Sequence, residues 1–331
     1  MGLGVARMDG YERSEMSEGN GHGKVAFCFP GQGSLAAGMG RENATAVPEA
    51  MSVFERASEA SGLDLVDLCF NAPLEDLVQT EVQQPALVAT SLAVLAALKA
   101  EGIEPDFVVG HSVGEFAALA AAGSVGDAEA VALVRERGLA MAEAAERHPG
   151  SMAAILGLED EIVETLCRQI IGVWPANYNC PGQIVVSGET PSVDECCEEA
   201  QERGARRTVK LQVSGAFHSP LVAKAADRFR PALEKVKFSE PIAPFMSTVT
   251  AKIEPAHRFG NLLVEQLTAP VRFTHAASEL ARNGAKTFVE VGPGNVLSGL
   301  LKRIDKSVKA IPVDNLAGVE KVKDALGRAS A

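Results

Sequence analysis

Short runs that are apolar throughout alternate along this chain with longer stretches whose apolar residues recur every three to four positions. Lys24-Val-Ala-Phe-Cys-Phe29 is the first such run, and Pro30-Gly-Gln-Gly-Ser34 ends it. A strand apolar on both faces that opens into a Gly-rich loop belongs in a buried parallel sheet. Helical patterns follow over 48–61 and 83–100. The second carries Pro85 near its start, where a missing N–H costs little, and Gly102 just past its end. Asp106-Phe-Val-Val-Gly110 predicts the next strand. It runs straight into His111-Ser-Val-Gly-Glu115 and an Ala-rich helical stretch, and a long helix over 127–147 is broken by His148-Pro-Gly150.

The rhythm then changes. Strands are predicted near 152–156, 173–178, 184–187 and 207–213, with helices over 159–171 and 191–203. The order βαββαβ is that of a ferredoxin-like unit. Strand–helix alternation resumes after it: helix 219–236, strand 244–249, helices 257–267 and 274–283, strand 287–291, helix 296–304, strand 309–313 and helix 317–328. The expected architecture is an α/β protein, an α/β-hydrolase-like parallel-sheet core with an inserted ferredoxin-like subdomain. Residues 23–148 and 215–331 form the large domain and 149–214 the small one. Residues 1–22, rich in Gly, Ser, Glu and Asn, read as a disordered lead-in in which Met8 or Met16 is an alternative start.

Composition narrows the function classes. At 331 residues the chain is long enough for about two domains. The 31 Lys and Arg against 43 Asp and Glu give a net charge of −12, which argues against a general nucleic-acid or anionic-membrane surface. Aromatic residues are only 5% of the total, too few for a base-stacking platform. The longest apolar stretch, 85–98, is too short to span a bilayer, and the first residues lack the apolar core of a signal peptide. The six cysteines form no C-x-x-C pair and no metal-ligand spacing with the six histidines. They read as reduced thiols of a cytoplasmic protein.

The chemistry starts at Gly110-His-Ser-Val-Gly114, a G-x-S-x-G sequence with a strand before it and a helix after it. That context makes a nucleophile elbow, in which Ser112 sits on a strained turn at the carboxyl edge of the sheet and close to a helix N-terminus. The backbone N–H of Val113 points into the same space. The loop after the first strand opens on the same edge, so the N–H of Gln32 is a candidate second donor for an oxyanion hole. Of the six histidines, His22 lies in the lead-in, His148 at a helix break, and His257 and His275 in helical stretches. His111 precedes the nucleophile and points away from its hydroxyl. His218 lies in Ser214-Gly-Ala-Phe-His-Ser-Pro220, a loop at the junction of the two units, and is the candidate general base.

From about residue 24 onward these residues carry a family resemblance. The chain resembles the malonyl-CoA:acyl-carrier-protein transacylases, the acyltransferases of fatty-acid and polyketide synthesis. The resemblance rests on Phe29-Pro-Gly-Gln-Gly-Ser34, Gly110-His-Ser-Val-Gly-Glu115, Arg135-Glu-Arg-Gly138 and Met152-Ala-Ala-Ile155. Asn177-Tyr-Asn-Cys-Pro-Gly-Gln183, Ala216-Phe-His-Ser219, Gln266-Leu-Thr-Ala-Pro-Val271 and Val289-Glu-Val-Gly-Pro-Gly294 follow in the same order. It implies Ser112 as nucleophile, His218 as base, Gln32 and Val113 as the oxyanion-hole pair, and Gln266 as the residue whose backbone carbonyl orients the imidazole. It also implies Arg137 as the partner of the substrate carboxylate. Taken alone, Arg137 reads as a solvated helix arginine like Arg135, but a malonyl carboxylate entering a cleft needs a counter-charge, and Arg supplies a two-pronged one. His111 is counted with the substrate-binding residues, as is Phe217, which narrows the space over the malonyl C2. Leu35 departs from the family, where many members have Gln.

The implied reaction is ping-pong transfer from malonyl-CoA to the phosphopantetheine thiol of acyl carrier protein. It needs no metal or redox cofactor, because the coenzyme A thioester is the substrate. A monomer is expected. Acyl carrier proteins of this family's reactions are small and acidic, so docking calls for a local basic patch. Arg203, Arg206, Arg207 and Lys210 form one such cluster, favoured for its place just before His218, and Lys302, Arg303 and Lys306 form another. The competing readings are a serine acyl hydrolase or thioesterase, an acyltransferase for a different acyl-CoA, and a non-enzymatic carrier-binding subunit.

Overall fold

A computed structural model describes residues 23–213 and 215–327. The lead-in 1–22, with His22 and the two alternative start methionines, lies outside the described residues. The strands are β1 (Lys24–Phe29), β2 (Phe107–Gly110), β3 (Ser151–Leu156), β4 (Val173–Cys180), β5 (Gln183–Gly188), β6 (Arg207–Lys210), β7 (Phe245–Ser247), β8 (Lys252–Ile253), β9 (Ala285–Val291) and β10 (Lys309–Val313). Six of them form one sheet in the order β10-β9-β1-β2-β7-β8, parallel except for the antiparallel edge strand β8.

The apolar run of β1 serves both faces of this sheet. Successive side chains of a strand point to opposite sides. Phe27 and Phe29 therefore join the core shared with the helices Thr80–Ala100 and Asp127–Arg147, while Ala26 and Cys28 join a second core with the helices Phe273–Arg282 and Val296–Ile304. The central position of β1 and β2 puts the two loops that follow them side by side at the carboxyl edge, which is where an open α/β sheet binds its ligands.

β3 to β6 make the second sheet, wholly antiparallel in the pairs it forms and ordered β4-β5-β3-β6. Numbered within the unit, that is 2-3-1-4, the split-βαβ arrangement expected from the element order. Ala153, Ile155, Ile184 and Val186 pack beneath the helices Asp160–Gln169 and Thr190–Glu202, whereas Met152, Ala154 and Val185 face the large core. β4 is tied to the segment just before the helix Phe273–Arg282: the Tyr178 N–H donates to the Val271 carbonyl, and the Val271 N–H to the Ala176 carbonyl, each at 2.8 Å.

Several elements differ from their sequence expectation. The helix expected at 83–100 begins at Thr80 and has 21 residues, long and apolar enough by composition to cross a membrane, but it is almost entirely buried inside the protein. Pro85 consequently lies within it, and the carbonyl of Glu81 that loses its Pro85 partner accepts instead from Arg135 Nη1 at 2.7 Å. Arg135 is thus a tie between helices. The strand expected over 207–213 stops at Lys210; the Leu211 N–H still donates to the Met152 carbonyl at 2.9 Å, and Leu211, Gln212 and Val213 line a cavity. The helix expected over 219–236 divides into a 3-10 turn, Pro220–Val222, whose Ser219 cap accepts from the Leu221 N–H, and the helix Ala223–Leu233. The short helices Arg41–Ala46 and Leu65–Phe70 went unread; the second starts at Asp64, which caps the Asp67 N–H at 2.9 Å.

Candidate active site

Ser112 sits between β2 and the helix Gly114–Ala121 with φ of 52°, in the left-handed region that non-glycine residues avoid. The flanking glycines make that turn sterically feasible. A Cβ on Gly110 would collide with the backbone of Gly114 and Glu115, and one on Gly114 would collide with the Phe29 carbonyl at the end of β1. The strain is therefore held by close backbone packing between the two central strand ends.

His218 is the second such residue, with φ of 57°. Its backbone N–H donates to the Leu267 carbonyl at 3.1 Å, and its Nδ1 is 2.8 Å from the Gln266 carbonyl and 3.2 Å from that of Ala269. Two carbonyl acceptors require the proton on Nδ1, which leaves Nε2 to accept from the Ser112 hydroxyl at 2.8 Å. Burial, the Arg137 cation and, more weakly, His111 push the imidazole down to about 3, against the pull of the Gln266 and Ala269 carbonyls. The ring is thereby held neutral at neutral pH, with Nε2 as its acceptor.

Arg137 is wholly buried, contrary to its reading as a solvated arginine. Its Nη1 donates to Gln84 Oε1 at 2.7 Å, and its Nη2 to Gln266 Oε1 at 3.0 Å and to Ser112 Oγ at 3.1 Å; Nε has no partner among the described residues. Gln266 binds outward from both ends of its amide. Its Nε2 donates to the Ser112 carbonyl at 3.0 Å and to Glu115 Oε2 at 2.5 Å. Burial pushes Glu115 up to about 7, opposed by hydrogen bonds from Thr248 and Gln266 and by the Arg137 charge.

A cavity of about 300 Å³ opens above this group. Gln32, His111, Ser112, Phe217 and His218 line it together with Asn177 and Asn179 of the small sheet. His111 is turned toward that sheet, its Nε2 2.9 Å from Asn179 Oδ1. Phe217 is buried beside His218. The Gln32 side chain is engaged with Gln83 Oε1 at 2.6 Å, and the backbone N–H groups of Gln32 and Val113 have no partner among the described residues. The Val113 side chain lies in the large core under the elbow and takes no part in the lining.

All eight residues singled out in the sequence thus converge on one place, with Ser112, His218, Arg137 and Gln266 in a single hydrogen-bonded set. Sequence reading assigned no role to Gln84, Glu115 or Thr248. A signal for Glu115 was there: it is the only charge in the run from Gly114 to Ala121. A lone carboxylate in an apolar helix is buried only when it has partners.

Comparisons with known proteins identify the family. A family model described as "acyl transferase domain" matches residues 26–328. The chain belongs to the acyl transferase domain family. Among curated members, a malonyl CoA-acyl carrier protein transacylase of Bacillus subtilis is 43% identical over 303 residues, covering 90% of this chain and 95% of that protein. The crystal structure of an acyl-carrier-protein-S-malonyltransferase from Bartonella henselae superimposes with a TM-score of 0.88 at 39% identity, over 92% of this acyl transferase and 99% of that chain. A malonyl-transacylase solved in complex with its type II PKS acyl-carrier protein matches with a TM-score of 0.87 at 37% identity, over 92% and 100% of the two chains.

Proposed function

We propose that this acyl transferase moves a malonyl group from coenzyme A to the phosphopantetheine thiol of an acyl carrier protein, through a malonyl ester on Ser112, in fatty-acid or polyketide synthesis. One observation carries the reading: a fully buried guanidinium, Arg137, lies 3.1 Å from the oxygen of a serine already bonded to a neutral histidine. A cation at that spot suits an acyl group with a carboxylate one carbon beyond the thioester.

In this reading Ser112 Oγ attacks the thioester carbonyl as its proton passes to His218 Nε2. The N–H groups of Gln32 and Val113 hold the tetrahedral oxyanion, a contribution typically worth about 10²–10³ in rate. The C–S bond then breaks, and the proton on Nε2 leaves with the coenzyme A sulfur. The imidazolium formed in between faces two carbonyls and no carboxylate, beside Arg137. It gives its proton up readily, to the thiol in the first half-reaction and to Ser112 when the carrier thiol attacks the ester in the second.

Residues 149–214 are read as the inserted unit and 23–148 with 215–331 as the unit that holds Ser112 and His218. The protein is read as a cytoplasmic monomer, with its six cysteines as thiols. The test is intact-protein mass spectrometry after incubation with malonyl-, methylmalonyl- and acetyl-CoA. A single malonyl adduct that moves to carrier protein and is absent from Ser112→Ala supports the reading. An adduct that persists in Ser112→Ala removes Ser112, and malonyl-CoA consumed to free malonate without carrier points to a hydrolase.

A further inference from the structure

The mechanism above leaves one buried ionisable group unused. Glu115 is fully buried, in the first turn of the helix Gly114–Ala121 that follows the elbow. Its Oε1 accepts from both the Thr248 backbone N–H at 2.6 Å and the Thr248 hydroxyl at 2.7 Å, and its Oε2 accepts from Gln266 Nε2. An ionised carboxylate only accepts hydrogen bonds, as does the Ser112 carbonyl that takes the other Nε2 hydrogen at 3.0 Å, so the two together make the Gln266 amide present its NH2 to them. The amide oxygen is thereby turned to Arg137, and the guanidinium, anchored on its other prong by Gln84, is held beside Ser112.

We propose that Glu115 is a positioning residue for recognition of the malonyl carboxylate: together with the Ser112 carbonyl it holds the Gln266 amide in place, and so aims Arg137 at the acyl group. The His218 imidazole is oriented by the Gln266 backbone carbonyl and not by its side chain, while Ser112 Oγ takes one further donor from Arg137. Glu115 therefore acts on the choice of acyl group more than on acyl transfer itself.

Two other roles make different predictions. A packing residue would affect every acyl-CoA alike. A simple counter-charge would repel malonate, so its removal would favour malonyl over acetyl. A positioning residue does the reverse.

The experiment is single-turnover acylation of Ser112 by malonyl-CoA and by acetyl-CoA at pH 8, where Glu115 is ionised, in the wild type, Glu115→Ala and Glu115→Asp. Loss of one charge-assisted hydrogen bond in a buried site is expected to lower the malonyl-to-acetyl rate ratio by about tenfold in Glu115→Ala. Sodium formate, which fits the space vacated by the side chain, should raise the ratio again. Glu115→Asp keeps the carboxylate but withdraws it by one methylene. It should lower the ratio by about threefold with a melting temperature near that of the wild type, which keeps the test valid if Glu115→Ala fails to fold. A ratio that stays constant or rises in the folded variants overturns the proposal. The inference rests on the malonyl-transfer reading, which the wild type tests separately: absence of a malonyl adduct on wild-type Ser112 defeats that reading, whereas a normal wild type with unselective variants defeats only the role of Glu115.

Discussion

Arg137 Nη2 and His218 Nε2 meet on the same atom, the Ser112 hydroxyl oxygen, at 3.1 Å and 2.8 Å. The guanidinium proposed to pair with the substrate carboxylate and the imidazole proposed to take the proton are therefore fixed relative to each other through Ser112.

Arg137→Ala should consequently change the acyl preference more than the capacity to acylate. A malonyl carboxylate left in a dry site without its partner loses typically about 3–5 kcal/mol. Acetyl-CoA loses no ion pair, although Ser112 loses one donor in both cases. The acetyl-to-malonyl ratio of single-turnover rates should rise by at least about a hundredfold, at 1.36 kcal/mol per decade. Arg137→Lys should fall between, since an ammonium attracts the carboxylate without matching its two oxygens. Equal slowing of both thioesters would make Arg137 structural and remove the main support for malonate.

The depressed pKa of His218 gives a pH prediction. An exposed imidazole near 6.5 would lose about thirtyfold in neutral form between pH 8 and pH 5. His218 is held down to about 3, chiefly by burial and the Arg137 charge, so its neutral form persists through that window. Labelling of Ser112 by a neutral fluorophosphonate should stay nearly flat from pH 8 to pH 5 in the wild type. His218→Ala should label about 10²–10⁴-fold more slowly at every pH. An acid limb centred near 6.5 would contradict the burial of the base.

The elbow glycines should be intolerant for a geometric reason. Ala at position 114 brings its Cβ into the Phe29 and Pro30 carbonyls, which are main-chain atoms and cannot turn aside. Gly114→Ala is expected to cost about 1–3 kcal/mol, the usual range for overpacking, and to lower Ser112 labelling by displacing the Gln32 loop from the elbow. A melting temperature and a labelling rate within error of the wild type would show that the two loops can part freely.

The legible parts of this molecule were those with a local signature. β1, β2 and the elbow announce themselves through apolar runs closed by glycine, and the βαββαβ unit through its element order. Arg137 and Gln266 were not legible from pattern. Arg137 follows Arg135 and Glu136 in a helix that mixes charged and apolar residues and so looks solvated in sequence; what buries it is the packing of helix Thr80–Ala100 against helix Asp127–Arg147, a contact between residues more than 50 apart such as Gln84 and Arg137. Its proposed role came from the family resemblance, and its burial from the fold. The helix Arg41–Ala46 has a polar sequence and no period to read; its Asn43 is buried because its amide reaches the Asp314 carbonyl at 2.8 Å, across the whole chain.

The surface that meets the carrier is the last question the geometry sharpens. Of the cluster before His218, Lys210 is paired with Asp194 at 2.6 Å, and Arg203 with Gln169 and Glu199, on the helix-covered face of the small sheet. Only Arg206 and Arg207 remain exposed there without an ion pair among the described residues, at the end of β6 away from the cavity-lining Leu211–Val213 segment. The helix Val296–Ile304 is better placed. Val296, Leu297 and Leu300 line the cavity itself, and Lys302 and Arg303 follow within a turn. Arg303 is committed to the turn between β4 and β5, through Gln183 Oε1 at 2.8 Å and the Pro181 carbonyl at 3.1 Å, which leaves Lys302 and Lys306 as the charges of this cluster without an ion pair among the described residues. Lys302→Glu with Lys306→Glu should weaken transfer from malonyl-Ser112 to an acidic carrier more than Arg206→Glu with Arg207→Glu does. Both pairs should leave acylation by malonyl-CoA less affected than transfer. The difference should shrink as salt rises from 0.05 M toward about 0.5 M, because exposed charges are screened over a few ångströms there. The measurement is the rate of each half-reaction for each pair of substitutions across the salt series. A larger loss in the Arg206 and Arg207 variant would move the carrier to the small sheet, and equal losses in both half-reactions would show that these lysines support the helix and not the partner.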